Sequence, residues 1–205
     1  MDEDRKTHWD GVYGTKAETD VSWFEPAADL SLDLIARTGA EPDAAIIDVG
    51  GGLSPLADGL AARGHTDITV LDISAEAIGK RLKRQPAGSP IQGIVADITQ
   101  WRPARAYDVW HDRAVLHFLT SDEDRAAYHR ALSEGLATGG QAIIATFAPT
   151  GPERCSGLPV RRYGPSDLTA FLGPRFQLIE AFEFDHETPG GSVQRFHVGR
   201  LKKTA

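Results

Sequence analysis

Ile46-Ile47-Asp48-Val49-Gly50-Gly51-Gly52-Leu53-Ser54-Pro55 decides the fold. A β-branched apolar run ends in three glycines, and a helical pattern starts at Pro55 and continues to Arg63. Glycines at a strand end allow a sharp turn and the close approach of a ligand to the main chain. A dinucleotide fingerprint requires Gly-x-Gly-x-x-Gly, and here Gly50 and Gly52 fit but the third position is Pro55. Proline is well placed to open a helix, yet it lacks the N–H that a pyrophosphate would use. Asp48 adds a carboxylate where a phosphate would be repelled. Both departures disfavour NAD and favour a ligand with an amino group and no phosphate.

Outward from this turn the chain alternates strands and helices. Ala45–Val49, Asp67–Leu71, Ile91–Val95, Tyr107–Trp110 and Gln141–Phe147 read as buried strands. Pro26–Arg37, Pro55–Arg63, Ala75–Arg84 and Asp122–Leu136 carry helical patterns. Such alternation predicts an α/β domain with a parallel sheet covered on both faces. The end of the chain departs from the rhythm. Phe176–Asp185 and Ser192–Leu201 read as strands, joined through Thr188-Pro189-Gly190-Gly191 with no room for a helix. They predict an antiparallel hairpin that completes a seven-stranded, mostly parallel, doubly wound sheet.

Composition sets the outer limits. With 205 residues, 41% of them apolar, the chain is long enough to bury one full core. No stretch approaches the ~18 apolar residues that span a bilayer. The polar start Met1-Asp2-Glu3-Asp4-Arg5-Lys6 leads into no apolar signal region, and Cys155 is the single cysteine, so a cytoplasmic protein is expected. Lys and Arg number 22 against 29 Asp and Glu, a net charge of −7. That balance supplies no basic surface for nucleic acid.

The glycine turn resembles motif I of the class I S-adenosylmethionine (SAM) methyltransferases, an acidic-x-Gly-x-Gly-x-Gly pattern in which Ser54 stands for the last glycine. Three further stretches resemble the same family in order. Val70-Leu71-Asp72-Ile73-Ser74 is similar to the second strand end, whose acid accepts the ribose hydroxyls. Val95-Ala96-Asp97-Ile98 is similar to the third, whose Asp accepts from the adenine amino group. Tyr107 to Arg113 is similar to the fourth, which faces the transferred methyl. The resemblance covers residues 40 to 201 and implies that Asp48, Gly50, Gly51, Gly52, Asp72, Ile73, Asp97, Ile98 and His111 hold SAM. It needs no metal.

Two candidate catalytic residues lie where the fourth strand meets its helix. Asp112 is placed either to orient or deprotonate a substrate or to cap that helix. His117 is placed either to act as a base near neutral pH or to pack in the first turns. Arg113 reads as a solvated charge. The absence here of an Asn-Pro-Pro-aromatic run, and of a Pro-Cys nucleophile, separates the chain from DNA methyltransferases.

Trp9 and Tyr13 fall on one helical face, and Trp23-Phe24 follows. Segments before the first strand cap the open cleft in this fold, so residues 1–39 are expected as a helical lid and 40–205 as the methyltransferase domain. Trp23 is the candidate to shield the sulfonium and stack on a substrate. The long loop from Ala148 to Tyr163 is expected over the substrate side, with Arg161, Tyr163 and, from the hairpin, Arg195 receiving an anionic small molecule. Cys155 reads as incidental. The expected activity is methyl transfer to N, O or S of a small molecule. A protein lysine methyltransferase and a non-catalytic SAM-binding domain are the alternatives.

Overall fold

The structure, a computed structural model, describes residues 2–205, with side chains from residue 4 onward; Met1 lies outside the described residues. In chain order the elements are α1 (Asp2–Thr15), α2 (Asp29–Ala36), β1 (Ile46–Val49), α3 (Leu56–Ala62), β2 (Ile68–Asp72), α4 (Ala75–Lys83) and β3 (Ile91–Val95). There follow β4 (Tyr107–Arg113), α5 (Asp122–Gly135), β5 (Leu136–Phe147), the short β6 (Arg154–Cys155) and β7 (Leu158–Pro159), α6 (Pro165–Leu172), β8 (Phe176–Glu187) and β9 (Val193–Lys203).

Seven strands form one sheet in the order β3-β2-β1-β4-β5-β9-β8, and β6 and β7 form a separate two-residue hairpin. The first five strands pair in parallel, and β9 runs antiparallel to both β5 and β8. Thr188 N–H donates to the Ser192 carbonyl at 2.8 Å, and Gly191 adopts φ +77° where an L side chain would be strained. These close the hairpin that the turn residues predict.

Strand alternation divides the core. Ile46, Val109, Ile143 and Ala145 face one side, where α2 and α3 bring Leu32, Ile35, Leu56 and Leu60. Ile47, Trp110 and Ile144 face the other, against Tyr128 and Leu132 of α5 and Leu168 of α6. Within the expected lid of residues 1–39, α2 is part of this core and brings Ser31 to the cleft, while the segment before α2 lies over it.

The order of the sheet reverses at β1, with β2 on one side and β4 on the other. At such a switch point the connections leave in opposite directions and a crevice opens beyond the strand ends. One boundary differs consequentially from expectation. β4 continues through His111, Asp112 and Arg113, paired to β1 and β5, where the sequence suggested an end at Trp110.

Candidate cofactor and acceptor cleft

The glycine turn is tight for specific reasons. Gly50 and Gly52 have φ of +67° and +40°. A Cβ on Gly51 would lie 2.3 Å from Asp48 Oδ2, and one on Gly52 would lie 2.4 Å from the Tyr13 hydroxyl. No larger residue fits at either place. Arg81 of α4, fully buried, fixes the turn from outside: its Nε donates to the Gly52 carbonyl at 2.6 Å and its Nη2 donates to that of Ser54. Asp58 pairs with the same guanidinium at 3.3 Å.

Asp48 and His111 are neighbours on β1 and β4. His111 Nδ1 lies 2.8 Å from Asp48 Oδ1, and its Nε2 lies 2.9 Å from Ser31 Oγ of α2. A carboxylate only accepts, so in the neutral ring Nδ1–H donates to Asp48 and Nε2 accepts from the Ser31 hydroxyl. Both ring nitrogens are therefore engaged within the fold, which leaves His111 a wall of the second cavity with no free nitrogen for a cofactor. Asp48 Oδ2 is buried and meets no hydrogen-bond donor among the described residues. It is the acceptor left over for an amino group.

Asp72 closes β2. Its Oδ1 accepts from Ser74 N–H at 2.8 Å, and burial pushes its pKa from 3.8 up to about 7, opposed by hydrogen bonds from the Ser74 and Gly52 backbone. Asp97, beyond β3, accepts from the Thr99 N–H and hydroxyl at 2.8 Å, while its other oxygen is 3.7 Å from Arg5 Nη2. Gly50, Asp72, Ile73, Asp97 and Ile98 line one continuous cavity over the strand ends. Asp48, Gly50, Gly51 and His111 line a second of about 690 Å³ beside it.

The roof of both is the N-terminal segment. Asp10 of α1 accepts from Ser74 Oγ at 2.7 Å and from Glu76 N–H at 3.3 Å, reaching the first turn of α4 from another element. Lys80 Nζ donates to the Tyr13 carbonyl, and Arg5 pairs with Asp124 at 3.2 Å. Trp9 packs edge-on to Phe118 and Trp23, with ring centroids 5.2 and 5.6 Å apart. Tyr13 and Trp23 line both cavities, so Trp23 stands where expected.

Other expectations do not survive. Alternation along the longer β4 sends His111 and Arg113 to the cleft side and Asp112, with Trp110, to the opposite face. Asp112 is fully buried there. Its oxygens accept from Val115 N–H at 2.8 Å, Leu116 N–H at 3.1 Å and the Tyr128 hydroxyl at 2.6 Å. Three donors hold the carboxylate within the fold and it lines neither cavity, so it is placed neither to orient nor to deprotonate a substrate. Burial raises its pKa to about 6. His117 is fully enclosed between Phe118 and Phe147, and burial followed by the charge of Arg113 lowers its pKa to about 3; it does not line the cleft and is no base.

The long loop folds back instead of overhanging the cleft. Arg161 N–H donates to the His117 carbonyl at 2.7 Å and Tyr163 N–H to that of Phe147 at 3.0 Å. Tyr163 is buried in the core, its hydroxyl accepting from Arg125 at 3.1 Å, and the exposed Arg161 guanidinium lies over the Tyr163 ring. Arg195 pairs with Asp185 at 2.7 Å on the exposed hairpin. None of the three reaches the cleft, so the expected substrate role fails for each. From this loop Cys155, read as incidental, does line the first cavity.

Two residues that do matter were missed. Arg81 gave no signal beyond a basic residue in a helix. Arg113, read as solvated, is largely buried at the junction of the two cavities. The signal that could have found it was its parity with His111, had the strand been carried three residues further.

A Rossmann-like sheet with an antiparallel last strand, an acidic-glycine turn after β1 and carboxylates ending β2 and following β3 define the class I methyltransferase fold. Residues 46–140 match the family model described as a methyltransferase domain. No curated protein matches the chain. Among solved structures, the 1,6-didemethyltoxoflavin-N1-methyltransferase of Burkholderia thailandensis, with S-adenosylhomocysteine (SAH) bound, is 18% identical, with 99% of this chain and 86% of that one covered and a TM-score of 0.70. The N-methyltransferase NodS of Bradyrhizobium japonicum WM9, also with SAH, is 19% identical over 86% of this chain and 85% of its own, with a TM-score of 0.65. A structure from work on the conversion of a disulfide bond into a thioacetal group during echinomycin biosynthesis is 19% identical, covering 98% and 92%, with a TM-score of 0.76. The chain has the class I methyltransferase fold, and its residues 46–140 carry the match to a methyltransferase domain.

Proposed function

We propose that this enzyme transfers the methyl group of SAM to a nitrogen, oxygen or sulfur nucleophile of a small molecule in the cytoplasm. The observation that carries the reading is the roof. The Trp9–Trp23–Phe118 edge contacts and the docking of α1 on α4 roof the cleft, and a roofed aromatic cleft suits a small molecule better than an extended peptide. One of the similar structures is that of a methyltransferase acting on the small molecule 1,6-didemethyltoxoflavin, which supports the same reading.

SAM supplies the methyl group and a sulfonium leaving group. Asp48 Oδ2 accepts from its amino group, Asp72 from its ribose hydroxyls and Asp97 from its adenine amino group. Gly50, Gly51 and Gly52 let the main chain approach, and Ile73 and Ile98 contribute apolar walls. Trp23 and Tyr13 exclude water, which strengthens every charge interaction inside. The test is incubation with methyl-labelled SAM and a cell extract, followed by separation of protein-bound from small-molecule label. Label in the small-molecule fraction is expected. Label confined to protein lysines would establish the alternative, and SAH binding without transfer to either would leave a SAM-binding domain.

A further inference from the structure

Arg113 is a cation in an aromatic setting. Its Nη1 donates to the Trp23 carbonyl at 3.1 Å, its Nη2 pairs with Glu25 at 2.9 Å, and the guanidinium lies over the Phe196 ring at 5.3 Å. Its Nε is buried and donates to nothing among the described residues. The group lines both cavities together with Trp23, and the wall of the first also includes Phe118 and Cys155.

Glu25 offsets the charge from the Nη2 side, but the buried Nε still lacks an acceptor, and an anionic group is the acceptor best suited to a guanidinium. Among the described residues around Arg113 none is a free base. Asp112 and His117 face elsewhere, both nitrogens of His111 are engaged, Glu25 is paired with Arg113, and burial pushes the Cys155 thiol up. An acceptor that must first lose a proton has nothing there to take it.

Resting on the methyltransferase reading above, we infer that the acceptor is a small aromatic anion, a thiolate or phenolate, seated against Arg113 between the rings of Trp23 and Phe118. A lone pair of the anion forms the new bond to the methyl carbon as the carbon–sulfur bond of the sulfonium breaks. The electron pair of that bond stays on the sulfur of SAH. One negative and one positive charge disappear together, and no proton moves. Trp23 and Glu25 hold the guanidinium, so the lid segment also sets the acceptor seat.

The probe is 4-nitrothiophenolate, ionised at neutral pH, compared with neutral 4-nitroanisole on the SAH-loaded protein by calorimetry. SAH affinity is measured first, and failure of the wild type to bind SAH would overturn the methyltransferase reading itself. With SAH bound, the anion is expected to bind at least about tenfold more tightly than the neutral ring. Arg113→Gln, compared at equal SAH occupancy, should abolish that preference, and Arg113→Lys, which keeps the charge, should retain most of it. With SAM in place of SAH, the thiolate absorbance should disappear as the thioether forms. Equal affinity for the two probes, no binding of the anion at millimolar concentration, or an unchanged preference in Arg113→Gln would each overturn the inference and leave the methyltransferase reading standing.

Discussion

His111 Nδ1 and Asp48 Oδ1 lie 2.8 Å apart across neighbouring strands, and the Ser31 hydroxyl completes the chain on the far side of the ring. The arrangement fixes one Asp48 oxygen and leaves the other facing the cleft. Removing the hydroxyl leaves a buried ring nitrogen without a donor, which costs about 1–3 kcal/mol. Ser31→Ala should therefore lower stability by that amount in urea denaturation while SAH affinity changes little. Asp48→Ala, by contrast, should weaken SAH binding by roughly tenfold or more, the loss of a charged acceptor. Equal effects of the two variants on SAH affinity would remove the division of labour between the oxygens.

Asp72 makes SAH binding depend on pH. Burial raises its folded pKa from 3.8 to about 7, so between those values the folded protein holds a proton that the unfolded chain releases. Stability of the free protein should accordingly fall as pH rises through that window. Ribose hydroxyls donate best to the ionised form, so SAH affinity should rise severalfold from pH 6 to 8 and level off above. Calorimetry in two buffers of different ionisation enthalpy should show proton release near pH 6. Asp72→Ala should bind roughly ten- to a hundredfold more weakly, with the pH dependence gone.

Asp112→Asn should be a stability variant. It weakens the bonds to Val115, Leu116 and Tyr128, at a cost of about 1–3 kcal/mol. SAH affinity of the folded fraction should stay within about twofold. A folded variant with normal stability but impaired methylation of 4-nitrothiophenolate would restore a catalytic role.

The contact of Asp10 with the start of α4 gives a handle on the roof. Asp10→Ala should cost about 1 kcal/mol, the scale of a lost cap, and should speed hydrogen exchange across residues 2–15. Deleting residues 2–26 should leave a folded core that binds SAH at least about tenfold more weakly, since Tyr13 and Trp23 go with it. A truncated protein with wild-type SAH affinity would reduce the aromatics to ordinary packing.

The sheet was legible because its central strands are buried on both faces and read as short apolar runs, and the hairpin because its turn chemistry leaves no other choice. The glycine turn was legible for the same kind of reason, since Gly50, Gly51 and Gly52 answer to backbone geometry. Side-chain roles at β4 were not. Ending that strand at Trp110 removed the alternation that separates His111 and Arg113 from Asp112, and the assignments fell on the wrong face. Arg161, Tyr163 and Arg195 failed because a long Gly/Pro loop carries no signal for where it folds back. Ser31 was invisible for a different reason: its meaning comes from a ring eighty residues away in sequence.

Tyr13, Trp23, Gly50 and Arg113 belong to the walls of both cavities, so the N-terminal segment borders cofactor and acceptor spaces at once. A movement of that segment would then couple release of the methylated product to release of SAH. Steady-state kinetics should be sequential, and a rapid-quench experiment should show a burst of product followed by a slow release phase. A weakened hinge such as Asp10→Ala would then raise the turnover number even as it lowers affinity.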